Sequence, residues 1–311
     1  MNAPVQALEC GVYPDMPEDQ YFKLEAVSNS RLTPLLKSPY HCRYFIDHPE
    51  PPTAAMTLGS AVDCLVLTPT LFNSRFAVSS QCVAPTQKGQ RCSKNGQARF
   101  TNGLGTPYWY CTQHFSHSVI PPDNVKVLSK DQSDTAFNMA KSVLNHPGAS
   151  VLLAACDEIQ LSLVWRENNL LCKGRLDGLS TELKTIIDLK KCQDASPEAF
   201  SRCIATYGYH RQAAMYLQGA TYHSIDVKNY VIIAVEEPPP HAVALYSLTE
   251  RGNTIFTHVA QLSPVEYGNH QLLRLLDLYE RCEAKGEWPS YPASPVPISL
   301  PKWAEMSIER E

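Results

Sequence analysis

The chain has 311 residues, 44% of them apolar, and 27 Lys and Arg against 31 Asp and Glu give it a formal net charge of -4. That is enough apolar material for the core of one large domain or two modest ones. The charge excludes a globally basic nucleic-acid binder, so any path for DNA has to be a local basic groove. The opening MNAPVQALECGVYPDMPEDQ lacks a basic leader ahead of an apolar stretch. No run of about 18 uncharged apolar residues occurs either, so a cytoplasmic protein with no membrane partner is expected. Eleven cysteines, an odd number without a secretory leader, point to reduced thiols or a metal site rather than a disulfide scaffold.

Residues 1–25 are punctuated by prolines and acids and read as an extended arm. Ser28 to Lys37 reads as an N-cap and a short helix that stops near Ser38-Pro39. Leu58, Ala61, Val62, Leu65 and Val66 recur at helical spacing, which predicts a helix from Ala55 to Leu67 ended by Thr68-Pro69. From Gln81 to Pro122 Gly, Pro, Asn, Gln and Cys dominate and no period survives, which marks residues 81–122 as an insertion. A helix from Asp131 to Leu144 closes at His146-Pro147-Gly148. Glu158 to Trp165, Leu170 to Leu176 and Leu183 to Lys190 are short β-rich runs, with turns at Glu167-Asn168-Asn169 and Gly178, and read as a meander. Ser196-Pro197-Glu198 starts a helix that continues to Gln218. Val227 to Val235 and Ala242 to Leu248 read as strands on either side of Pro238-Pro239-Pro240, and an amphipathic helix runs from Ser263-Pro264 to Ala284. Helices, meander, helix, strands and helix in that order imply an α/β or α+β fold, a sheet with flanking helices.

Two acids sit at the ends of predicted strands: Asp177 in GRLDG, and Asp188 in TIIDLKK with Lys190 two residues on. In a strand, residues i and i+2 share a face, so Asp188 and Lys190 point one way and Leu189 points into the core. If the two strands are neighbours, Asp177 comes beside Asp188, and close carboxylates repel unless a cation lies between them. Hard oxygen ligands suit Mg²⁺, with Mn²⁺ as a substitute. Lys190 would then orient a metal-bound water or help to deprotonate it. On spacing alone, Asp188 and Lys190 also fit a solvated surface pair. The apolar residues ahead of Asp188 favour a buried strand, where a carboxylate is costly without a partner. No nucleotide-binding glycine loop or G-x-S-x-G elbow is present.

The block from Lys173 to Gly219 resembles the nuclease domain of the RecE (exodeoxyribonuclease VIII) family, a branch of the PD-(D/E)xK superfamily. Lys173, Arg175 and Asp177 match its K-x-R-x-D pattern, and Asp188 to Lys190 match its D-hydrophobic-K. Tyr209, Gln212 and Tyr216 resemble its Y-x-x-Q-x-x-x-Y helix; they fall at i, i+3 and i+7 on one face, as ordinary aromatic core packing would also place them. SNSRL with Ser38-Pro39, LGSAVDCLVLTP (58–69), Glu158 and the C-terminal LPKWA are similar to the family as well. Where the family carries a metal-binding His four residues after the Gly of GSAVD, this chain has Asp63. An Asp can still ligate Mg²⁺, and a helix-surface acid is the other reading.

The resemblance implies a PD-(D/E)xK nuclease domain over 26–311, with a central mixed β-sheet flanked by helices. It implies catalytic roles for Asp177, Asp188, Lys190, Gln212 and Tyr216, and Mg²⁺ held by Asp63, Asp177 and Asp188. It further implies a 5′-to-3′ exodeoxyribonuclease acting on double-stranded DNA ends, leaving 3′ overhangs for recombination. A toroidal homo-oligomer and a single-strand annealing recombinase as partner come with it. The alternatives are a structure-specific or restriction-type endonuclease of the same superfamily, and a non-catalytic zinc-stabilised binding module.

Within the insertion, Cys82, Cys92, Cys111 and His114 lie in CVAPTQKGQRC and WYCTQH. Only the second pair has the tight spacing of a zinc knuckle. The whole pattern is similar to small cysteine-histidine modules attached to assorted proteins. A loop of roughly 35 residues with little apolar content needs a staple, which a structural Zn²⁺ would supply; reduced thiols and a disordered loop are the other readings. Lys88, Arg91, Lys94 and Arg99 would add contacts to DNA phosphate, although loop bases are more often simply solvated. The other cysteines show no CxxC grouping, which argues against an iron-sulfur cluster.

Overall fold

The β-rich runs at the middle of the chain form the centre of a six-stranded sheet in the computed structural model. It describes residues 9–79, 125–251 and 262–300 and, between the first two stretches, residues 82, 84, 88–90, 92–96, 98–101, 107–111, 113 and 114. Residues 1–8, Arg91 and all but the first residue of LPKWA lie outside the described residues.

Among the described residues of the N-terminal half, helices predominate. Strand β1 (Gly11–Tyr13) and helix α1 (Glu18–Lys23) precede α2 (Asn29–Leu32), which runs on into a 3-10 turn (Thr33–Leu36). Then come α3 (Pro39–Asp47), α4 (Ala54–Leu67), α5 (Phe72–Arg75) and β2 (Phe76–Val78). The insertion contributes a hairpin of β3 (Ala98–Thr101) and β4 (Pro107–Tyr110), and β5 (Lys126–Leu128) ends it. Helices α6 (Lys130–Asn145) and α7 (Pro147–Ala154) lead into β6 (Glu158–Glu167), β7 (Leu170–Ser180) and β8 (Thr185–Cys192). After them come α8 (Pro197–Tyr207), α9 (Tyr209–Tyr222), β9 (Asn229–Glu236), β10 (Val243–Ser247) and α10 (Pro264–Lys285).

The large sheet has the order β1-β6-β7-β8-β9-β10. All its pairs are antiparallel except β8 with β9. A parallel pair needs a crossover, and α8 and α9 supply it. The central strands are apolar on both faces. Ile186, Tyr230 and Ile232 pack with Phe200, Met215 and Leu272 on one side. Ile187, Leu189, Ile233 and Val235 pack with Val62, Leu65, Met139 and Val143 on the other. The result is a mixed sheet between two helical layers, which is why β8 reads as a continuous apolar run rather than an alternation. No helix among the described residues is long and apolar enough to cross a membrane.

Three sequence expectations need correction. Residues 11–24 are not an extended arm: β1 joins the sheet edge against β6, and Met16, Tyr21 and Leu24 pack on Val164. A strand of three residues is too short to show a period. Second, Ser38-Pro39 and His146-Pro147 open helices as well as ending them. The Ser38 hydroxyl caps the His41 N–H, His146 Nδ1 accepts from the Ala149 N–H, and each proline sits at a first-turn position where its missing N–H costs nothing. Third, the helix expected over 196–218 is two helices, divided at Gly208, whose φ of 69° is left-handed.

Helix α10 crosses the start of α9 in backbone contact, and a Cβ at Gly268 would lie 2.1 Å from the His210 carbonyl oxygen. Gly268→Ala is therefore expected to force the helices apart and cost about 1–3 kcal/mol. Urea unfolding would show it as a lower midpoint at unchanged slope, and a wild-type midpoint would contradict this packing.

Candidate active site

Strands β7 and β8 pair at only three positions, Gly178↔Ile187, Leu179↔Ile186 and Ser180↔Thr185. Beyond Gly178 they part. Continuing the register by one residue sets Asp177 opposite Asp188, and there a side chain replaces the main-chain ladder: the Leu189 N–H donates to Asp177 Oδ2 at 2.9 Å. The edge of β7 that β8 leaves is taken by the chain ahead of α2. The Val27 N–H donates to the Leu171 carbonyl and the Lys173 N–H to the Val27 carbonyl, both at 2.8 Å. The Lys173 ammonium is buried and donates to the carbonyls of Tyr21 and Leu24, each at 2.8 Å, which ties the end of α1 to the sheet. Burial, with the nearby Arg31 charge, lowers its pKa to about 8.

A cleft of about 580 Å³ opens at this fork, with Asp63, Gln160, Asp177, Gln212 and Tyr216 in its lining. Asp63 comes from α4, on the helical layer opposite α9. Asp188 is only 1% exposed. Its Oδ1 accepts from Gln212 Nε2 at 3.1 Å, and its Oδ2 lies 2.5 Å from the Lys190 ammonium without an aligned hydrogen bond. Lys190 Nζ also stands 5.2 Å from the centre of the Tyr209 ring. The Tyr216 ring fills the space above Gly174, where a Cβ would meet it at 2.9 Å.

The electrostatics of the cluster are those of carboxylates held close together away from water. Burial first, then the Asp188 carboxylate, raises the Asp177 pKa to about 6. Burial and then Asp177 push Asp63 well above the usual carboxylate range. Burial works against the Lys190 ammonium, but Asp188 and Asp177 more than offset it, so the amine is held above the ordinary lysine value. Three acids thus stand beside the Lys190 ammonium, and the buried Asp188 Oδ2 meets it without an aligned hydrogen bond. A divalent ion among oxygen ligands answers both conditions.

The structure brings Asp63, Asp177, Asp188, Lys190, Gln212 and Tyr216 to one place. Sequence reasoning missed Gln160; Glu158, noted only as similar to the family, does not line the cleft. Gln160 Nε2 donates to Asp177 Oδ1 at 3.1 Å, and its Oε1 accepts from Arg175 Nε at 2.8 Å. It stands on β6 opposite Asp177 on β7, between the pairs Ile159↔Gly178 and Leu161↔Leu176, with a left-handed φ of 55° that interrupts the ladder. A non-glycine residue in that conformation within a strand costs about 1–3 kcal/mol, the kind of strain that collects at functional sites. The only sequence signal for it is hairpin register, which requires the turn at Asn168-Asn169 to be placed first. Cys82, Cys92, Cys111 and His114 gather separately, in the insertion.

Protons would compete with any cation held by these acids. Below about pH 6 Asp177 carries a proton that such an ion would have to displace, whereas above it the carboxylate is already ionised. Mg²⁺ affinity, measured by titration calorimetry, is expected to rise about tenfold per pH unit for each proton displaced, levelling off once Asp177 and Asp63 are both ionised. An affinity that stays flat from about pH 5 upward would exclude ligation by these carboxylates.

The family described as a PDDEXK-like domain of unknown function (DUF3799) matches residues 28–293. Among solved structures, a "Putative exonuclease" from Eubacterium rectale is similar with a TM-score of 0.57 and 11% identity, covering 92% of this chain and 96% of that one. At that identity the likeness is one of fold. A second structure, SSO0001, aligns with a TM-score of 0.27 and 13% identity over 50% of this chain and 66% of that one, too weakly to carry an argument. No curated protein matches the sequence. With the match running over most of the chain, from the α2 cap through the fork to the residues beyond α10, the chain belongs to the PDDEXK-like family DUF3799.

Proposed function

We propose that this protein is a Mg²⁺-dependent deoxyribonuclease that resects double-stranded DNA from its ends. The observation that carries the reading is the fork in the sheet, where Asp177 and Asp188 face each other with Lys190 on the same strand face as Asp188. Membership of a PDDEXK-like family supports a nuclease. The narrower reading, an exonuclease, draws on the resemblance to the RecE family and on the fold shared with the Eubacterium rectale protein.

Asp63, Asp177 and Asp188 would hold Mg²⁺, with Mn²⁺ as a substitute. When bound, the ion supplies Lewis-acid polarisation of a phosphodiester oxygen and makes a water acidic enough to attack near neutral pH. The protein's own groups do the positioning. Gln212 fixes Asp188 and Gln160 fixes Asp177, so neither carboxylate is free to rotate. Lys190 presents a cation beside Asp188, placed to donate to the attacking water and to offset charge that develops on the phosphate. Tyr216 walls the cleft.

Arg31, Arg75, Lys173 and Arg175 line the same cleft, a local basic groove on a chain with net charge -4. Part of that charge is held internally: Arg75 pairs with Glu18 at 3.3 Å, and Arg175 donates to the Met16 carbonyl at 2.9 Å. The resemblance supplies the rest of the proposal: 5′-to-3′ polarity, 3′ overhangs, a toroidal homo-oligomer and a single-strand annealing partner.

Linear duplex labelled at the 5′ or the 3′ end, digested with Mg²⁺ and compared with covalently closed circles, tests this reading. Early release of the 5′ label, persistence of the 3′-labelled strand and intact circles are expected. Lys190→Ala should lower the cleavage rate by about 10²–10³ with duplex binding retained. Circles cut as fast as linear ends are resected would overturn the exonuclease reading, and wild-type cleavage by Lys190→Ala would overturn the assigned centre.

A further inference from the structure

We propose that Cys82, Cys92, Cys111 and His114 form a closed structural zinc site that folds the insertion and takes no part in the chemistry of the cleft. The four ligand atoms lie within 4.8 Å of one another. Cys82 Sγ is 3.5 Å and Cys111 Sγ 3.4 Å from His114 Nδ1, and the Cys92 and Cys111 sulfurs are 3.9 Å apart. A tetrahedron with Zn–S of about 2.3 Å and Zn–N of about 2.05 Å has edges of roughly 3.8 Å between sulfurs and roughly 3.5 Å between sulfur and nitrogen. The three edges given above agree with these. A Cys92–Cys111 disulfide does not fit the same geometry, because its sulfurs would be about 2.05 Å apart.

The backbone prepares the site. The Cys82 N–H donates to the Lys94 carbonyl at 2.8 Å and the Cys92 N–H to the Ala84 carbonyl at 3.0 Å, which clasps the segments around the first two cysteines together. The His114 N–H donates to the Cys111 carbonyl at 2.9 Å and closes the turn that carries the second pair. The buried apolar cluster around these residues consists of Cys82, Ala84, Cys92 and Cys111, with Tyr110 packed against it. Three of its four buried members are ligands, so this small cluster is built largely from the zinc-binding side chains. The four-residue strands β3 and β4 form a hairpin that is marginal by itself.

Ligand chemistry separates this site from the cleft. Three sulfurs and one imidazole select zinc, whereas the oxygen donors of Asp63, Asp177 and Asp188 suit Mg²⁺. Four protein ligands leave no position for water or substrate, which is the mark of a structural site. The base of the insertion, β2 paired with β5, is tied to the cleft by Lys126, which reaches Glu18 at 3.2 Å.

Metal analysis of the full chain by mass spectrometry tests the site. About one zinc per chain is expected in the wild type and in Cys203→Ser, with a fall to background in Cys92→Ser and Cys111→Ser. Replacement with Co²⁺ in the wild type, which does not depend on the variants folding, should give a thiolate-to-cobalt charge-transfer band and the intense visible bands of a tetrahedral centre. Zinc at background in the wild type, together with a Co²⁺ spectrum lacking the thiolate band, would overturn the proposal. So would zinc that survives Cys111→Ser and is lost in Asp177→Asn, because it would belong to the cleft.

Discussion

The hydrogen bond from the Leu189 N–H to Asp177 Oδ2 sits where β7 and β8 part. A main-chain donor in the middle of a sheet has to be satisfied, and here a carboxylate does what a ladder carbonyl would otherwise do. The strands can therefore diverge without orphaning the amide. Divergence leaves the edge of β7 open, Val27 closes it, and the end of α1 and the start of α2 are drawn across as one wall of the cleft. The same carboxylate that permits the fork faces Asp188, so the break in the sheet and the cluster of acids are one feature.

That wall is held by a buried cation with neutral partners. Arg211, 1% exposed, donates to Asn29 Oδ1 at 2.7 Å and to Thr33 Oγ1 and Gln271 Oε1 at 2.8 Å each. It thereby joins α9 to α2 and α10, so the helix that supplies Gln212 and Tyr216 is locked to the segment that forms the opposite lip. Burial holds its pKa below the ordinary arginine value. An arginine spent on neutral acceptors fits a site whose acids are kept for something else. Rigid support of this kind matters because catalytic carboxylates lose their function when their surroundings let them turn.

What was legible in the sequence was what depends on local periodicity. The two-residue period of a strand placed Asp188 and Lys190 on one face, and the apolar residues ahead of Asp188 indicated a buried strand. The 3.6-residue period aligned Gln212 with Tyr216. Asp63 was legible only through a resemblance, as a substitution at a known position. Gln160 was not legible, because its role depends on which residue stands across the hairpin and on a backbone conformation that no pattern announces. Proline misled in two places: at Ser38-Pro39 and His146-Pro147 the same dipeptide that ends one helix starts the next. The edge strand β1 owes its existence to pairing with β6, a contact about 150 residues away that has no local signature.

The central claim is that the forked strands make a cation site. Crystals soaked with Mn²⁺ at neutral pH, with diffraction measured at the manganese absorption edge, would locate the ion directly. The account predicts an anomalous peak at bonding distance from the carboxylates of Asp177 and Asp188, with Asp63 on its third side and the Lys190 ammonium displaced from Asp188 Oδ2. Anomalous density absent from the fork in a fully soaked crystal, or found only at other sites, would contradict it.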